Sequence, residues 1–107
     1  MRVIAYKTLT SFVETLRGNR DRDAVDAALV TWYHETKKAI WQNPAEIKQA
    51  YRSASLVGAD RVVFNICGNK YRLVVAINYQ RQVVFIKWIG SHAEYDRIDV
   101  RRVEHGD

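Results

Sequence analysis

Four side chains in the second half of the chain have the types and spacing that chemistry on an anion needs: Arg72, Lys87, His92 and Tyr95. Arginine offers a planar, permanently charged fork that grips an oxyanion through two bonds, and lysine offers a point charge. Histidine, with an ordinary pKa of about 6.5, is the side chain best able to give or take a proton near neutrality. Tyrosine adds a flat ring and a phenol that donates or accepts a hydrogen bond. From Arg61 onward the chain carries Arg61, Lys70, Arg72, Arg81 and Lys87, and no carboxylate appears before Glu94. A paired-carboxylate mechanism is therefore not expected in this stretch. The residue pattern also contains no cluster of His, Cys and acids at metal-ligand spacing. Cations gathered around one titrating group suit an anion that is held while a proton moves beside it.

The stretch that positions these residues runs RVVFNICGNKYRLVVAINYQRQVVFIKWIGSHAEY, from Arg61 to Tyr95. Three apolar, β-branched runs separated by two turn signals predict a three-stranded antiparallel meander. Gly68-Asn69 is a two-residue hairpin signal. Counting outward from it pairs Cys67 with Lys70, Ile66 with Tyr71, Asn65 with Arg72, Phe64 with Leu73 and Val63 with Val74. With Gln80-Arg81 as the second loop, Tyr79 pairs with Gln82, Ala76 with Phe85, Val74 with Lys87 and Leu73 with Trp88. Directly opposed residues share a face. One face then holds Phe64, Leu73, Val75, Ile77, Val84, Ile86 and Trp88, and is expected to form the core. The other holds Arg61, Val63, Asn65, Arg72, Val74, Ala76, Phe85 and Lys87, an anion-binding surface with cations set among apolar neighbours. An even loop preserves this parity, whereas an odd loop or a bulge alters it.

Beyond Ile89, Gly90 allows a sharp strand end, and Ser91 with Glu94 predicts a capped single turn. That turn puts His92 and Tyr95 on one side, at the edge of the cationic face. Upstream, Arg2–Ala5 is β-prone. Ser11 and Glu14 have capping-box spacing and predict the start of a short first helix, which Gly18-Asn19 stops. Asp21 and Asp23 open a second helix, whose apolar stripe is Val25, Leu29, Trp32, Tyr33, Thr36 and Ile40. Asn43-Pro44 caps a third, shorter one. Residues 53–60 read as a loop. Residues 98–103 are expected to add a short strand or pack loosely, and the end ArgArgValGluHisGlyAsp reads as loose. The fold class that results is α+β, with N-terminal helices packed on one face of a twisted, mainly antiparallel sheet.

A chain of 107 residues, 48% hydrophobic and 27% charged, is long enough for one folded domain, residues 1–107, and composed like one. Its apolar runs are strand-sized, so no membrane span is expected. The start MRVIAYKTL has no apolar signal-peptide core. The single cysteine, Cys67, leaves no internal disulfide. A cytoplasmic protein is the expectation. The formal charge of +5 suits a polyanionic partner.

FNICGNKYRLVV followed by VFIKWIGSHAEYD closely resembles the HigB-type toxins of bacterial type II toxin–antitoxin systems, within the RelE-like superfamily. The shared features are GN-x-YR after a strand, then FIK, then SHAEYD; the N-terminal half agrees only in its helix–helix layout. The resemblance implies two N-terminal helices on a twisted sheet. It implies an endoribonuclease that cuts mRNA, in many members on the translating ribosome, and that is neutralised by a helix-turn-helix antitoxin. It implies no metal or other cofactor, and attack of the ribose 2′-OH on the adjacent phosphate to leave a 2′,3′-cyclic phosphate and a 5′-OH. By the same resemblance Arg72 falls on the arginine of the YR motif, and His92 where relatives carry an arginine or histidine. Tyr95 lies near a C-terminal catalytic tyrosine, with different spacing, and Lys87 belongs to the last strand of the site. Arg61, Asn65 and Lys70 are candidate RNA contacts, and Asn69 serves the turn. Two competing readings are a basic RNA-binding module without catalysis, using Tyr71 and Phe85 for stacking, and a degenerate toxin acting only through its antitoxin.

Overall fold

A computed structural model gives the fold and describes residues 1–104. The elements are β1 (Arg2–Ile4), α1 (Tyr6–Thr15), α2 (Arg22–Lys38), α3 (Pro44–Ala50), β2 (Ser55–Val57), β3 (Arg61–Ile66), β4 (Tyr71–Asn78), β5 (Val83–Ser91) and α4 (His92–Tyr95). The five strands form one sheet in the order β1-β5-β4-β3-β2. All pairs are antiparallel except β1 with β5. The expected α+β architecture is present, with β1 as one edge. The other edge, β2, falls in the stretch read as a loop. With Gly58 and three residues of strand, that stretch carries too little alternation to signal an edge from sequence.

The first hairpin has the expected register, Ile66 opposite Tyr71 and Asn65 opposite Arg72. Its positive φ angles lie at Cys67 (53°) and Gly68 (68°) rather than at Gly68 and Asn69. In the second hairpin the loop is even, and Ala76 faces Phe85 as counted. The parity breaks further along. A bulge between Val74 and Val75 places Val74 opposite Trp88 instead of Lys87, and Leu73 opposite Ile89 instead of Trp88. A bulge sets two residues of one strand against one of the other. Lys87 and Trp88 thus emerge on the same side, Lys87 reaching Glu104 and Trp88 packing with Val63 and Val74. Trp88 leaves the expected core face and Ile89 takes its place.

The helices cover the other face. Leu9 and Val13 of α1, Val25, Leu29 and Trp32 of α2 and Ile47 of α3 pack on Phe64, Leu73, Val75, Val84 and Ile86. The α2 stripe is as expected through Thr36, but the helix ends at Lys38, and Ile40 is 70% exposed. Helix α1 starts five residues before Ser11. The capping box expected at Ser11 and Glu14 does not form; the helix opens instead after Ala5, held at φ 72° without a side-chain cap. Apolar contact of Leu9 with the core overrides the local capping signal. The cap of α3 is as expected, Asn43 accepting from the Glu46 amide with Pro44 following.

The sheet's second face is not bare. Ile98, Val100 and Val103 pack on Val63, Val74 and Trp88 beside Tyr95, so residues 98–103 form turns against the sheet rather than a strand. Of the end expected to be loose, Arg101–Glu104 belong to this packed segment, and residues 105–107 lie outside the described residues.

Candidate active site

Gly90 lies opposite Arg72 across the β5–β4 ladder, and the chain turns into α4 immediately afterwards. The turn is held by the expected capping box: the Glu94 amide donates to Ser91 Oγ, and the Ser91 amide donates to Glu94 Oε1. The His92 amide donates to the Lys70 carbonyl (2.8 Å), which ties α4 to the first hairpin. Three of the candidate residues therefore meet. Arg72 Nη2 stands 3.1 Å from His92 Nδ1, and the guanidinium carbon lies 5.8 Å from the centre of the Tyr95 ring.

Asn69 completes this group. Arg72 Nη1 donates to its carbonyl (3.1 Å) and Arg72 Nη2 to its side-chain Oδ1 (2.5 Å). His92 Nδ1 lies 3.2 Å from the same carbonyl, and His92 Nε2 lies 3.4 Å from Asp96 Oδ2. Arginine can only donate and a carbonyl can only accept. Unprotonated Nδ1 therefore accepts from Arg72, whereas an Nδ1–H donates to the Asn69 carbonyl and leaves the Arg72 donor facing another donor. Asp96 favours the proton on Nε2 in the neutral ring and accepts from the imidazolium.

Lys87 does not join this group. It lies three positions before Gly90 on β5, roughly 10 Å along the strand. The Trp88 indole lies over Gly90, so close that a Cβ there would meet the ring at 2.4 Å. Lys87 Nζ is 2.9 and 3.1 Å from the two Glu104 oxygens and 5.6 Å from the centre of the Phe85 ring. Arg61 belongs to this second cluster. Only 9% exposed, it donates to the Val103 carbonyl (2.7 Å) and reaches the Val100 carbonyl and Glu104 (both 3.4 Å). Its guanidinium holds the C-terminal segment, and an RNA contact would require that segment to move. Lys70 turns away from the cationic face to Asp21 (3.4 Å), which also accepts from the Tyr71 hydroxyl (3.1 Å). Half-buried Asn65 stands beside Arg72 across the ladder.

The charges are set by these contacts. The hydrogen bond from Lys87 holds the Glu104 carboxyl below the usual glutamate range, against a smaller opposing effect of burial. Burial pushes the Cys67 thiol up, away from the thiolate a nucleophile needs. Burial, then the Asp21 hydrogen bond, raises the Tyr71 phenol. Among the described residues no three His, Cys, Asp or Glu side chains gather as a metal site, and no helix is long and apolar enough to cross a membrane.

Sequence reasoning passed over Asn69, Asp96 and Glu104 as members of these clusters. Asn69 looked complete as a turn residue. Asp96 was legible, since His92 and Asp96 are four apart on a helical turn. Glu104 was not, because 17 residues separate it from Lys87 and no local pattern joins them.

No curated protein matches the chain. A family model does, over residues 25–98, which spans most of α2, the whole meander and all four of Arg72, Lys87, His92 and Tyr95. The match covers well over half of the chain and ends just past the capped turn that brings Arg72, His92 and Tyr95 together. The chain belongs to the HigB toxin family, the RelE-like toxic component of a toxin–antitoxin system.

Proposed function

We propose that the chain is the mRNA-cleaving toxin of its toxin–antitoxin pair, a metal-independent endoribonuclease acting on the ribosome in the cytoplasm, with a helix-turn-helix protein as its antitoxin. The observation that carries this reading is the contact of Arg72 with His92 beside the Tyr95 ring. In the reaction the 2′-oxygen forms a bond to phosphorus and the bond from phosphorus to the 5′-oxygen breaks. One proton leaves the 2′-OH and one reaches the departing 5′-oxygen, giving a 2′,3′-cyclic phosphate and a 5′-OH. Arg72 holds the non-bridging oxygens, whose charge grows in the transition state. His92 moves a proton, and protonation of Nδ1 frees Arg72 from it for the phosphate. Tyr95 offers its ring face to a base and steadies the guanidinium. Lys87, apart from this group, holds another phosphate of the same strand. A binding module would need the cations but not a titrating ring against the arginine, which favours cleavage over binding alone.

The test is induction in cells with mapping of mRNA 5′ ends. Wild type is expected to stop growth and create new 5′-OH ends, and His92→Ala to lower cleavage by about 100-fold or more. Growth arrest without new 5′-OH ends would remove the nuclease reading. Equal cutting by Arg72→Ala would misplace the site.

A further inference from the structure

The C-terminal segment carries charge of opposite sign on its two sides. Arg101 and Arg102 face solvent, while Glu104 points at the sheet and meets Lys87 and Arg61. The segment is anchored by means other than Glu104. Val100 and Val103 pack on Val63, Val74 and Trp88, and their carbonyls accept from Arg61. Glu104 therefore sits on an anchored segment, with both carboxylate oxygens on the Lys87 ammonium.

We propose that the Glu104 carboxylate is a built-in competitor for RNA: it occupies, at Lys87, the place of a backbone phosphate, and RNA binds fully only when that phosphate displaces it. This rests on the reading of the chain as an RNA-cleaving toxin. A phosphodiester and a carboxylate both offer paired anionic oxygens to an ammonium group. A carboxylate carried on an anchored segment competes as an intramolecular ligand, so a single weak phosphate contact from solution is at a disadvantage against it. A continuous RNA strand displaces it, because Arg72 already holds the strand and the Lys87 contact becomes intramolecular in turn. The segment thus sets a threshold that favours RNA strands long enough to span both clusters over short anions. Glu104 neither touches nor moves the reacting atoms.

The experiment compares Glu104→Gln with wild type, both carrying His92→Ala so that RNA stays intact. Affinity is measured by fluorescence anisotropy for a labelled single-stranded RNA, and by calorimetry for inorganic pyrophosphate. Releasing one partly exposed ion pair should tighten RNA binding by about two- to fivefold. It should also let pyrophosphate bind measurably, and Lys87→Ala should abolish both gains. Equal affinities of the two proteins for RNA and for pyrophosphate would overturn the proposal while leaving cleavage by the His92 protein intact. A gain for pyrophosphate with no RNA binding by either protein would leave the internal competitor standing and remove RNA as the substrate. Weaker RNA binding by Glu104→Gln, with a lower Tm, would make the contact a structural brace and overturn the proposal.

Discussion

Arg72 is defined by its fork. It spends two nitrogens on Asn69 and faces His92 with one of them, an arrangement a lysine's single ammonium cannot copy. Arg72→Lys is therefore expected to keep the fold, with an unchanged Tm, and to lower single-turnover RNA cleavage by about 100-fold. Glu104 makes a pH prediction at the same scale. Its folded pKa is depressed by Lys87, so its stabilising contact is present above the ordinary glutamate range. That contact is lost as the pH falls through the lower folded value. A carboxyl carbon NMR titration should place the Glu104 midpoint below that of an unpaired glutamate, and Lys87→Ala should move it back up.

At the scale of elements, the β5 bulge and the capped turn after it decide the site. The bulge delivers Lys87 and Trp88 to one face, and the absent side chain at Gly90 leaves room for the Trp88 indole. Gly90→Ala puts a Cβ 2.4 Å from that ring. Overpacking of this kind costs about 1–3 kcal/mol. Denaturant unfolding should show the loss, and a shift in tryptophan emission should show the indole displaced. Cleavage should fall as well, because Trp88 packs against Tyr95. On the edge strand beside β5, Ala5 joins β1 to α1 at φ 72°, where a Cβ is strained. Ala5→Gly is expected to stabilise the protein by about 0.5–1 kcal/mol, read as a higher urea midpoint at the same slope.

At the scale of the molecule, one sheet separates two apolar clusters, the larger under the helices and the smaller under the C-terminal segment. Arg61 ties that segment down from the buried side. Its removal strands the Val100 and Val103 carbonyls it serves. Arg61→Ala should therefore destabilise the protein by about 2–3 kcal/mol in chemical denaturation. Hydrogen exchange should locate the loss in residues 98–104, with β3 and β4 retained. A site built on a rigid sheet and covered on one side by a tail can be adjusted through the tail without disturbing the core.

The sequence by itself determined the meander, its first register, the α2 stripe through Thr36, the α3 cap and the capped turn carrying His92 and Tyr95. These follow from short-range alternation, turn residues and capping pairs, which act over a few positions. It therefore placed Arg72 beside His92 and identified the family's motifs. Only the tertiary structure decided that Trp88 leaves the core, because a bulge is a property of two strands fitting together rather than of either one. Tertiary structure likewise decided that Lys87 stands apart from the Arg72 group and that Arg61 serves the tail. These depend on Glu104, Val100 and Val103 returning to the sheet, contacts between residues distant in sequence that packing alone brings together.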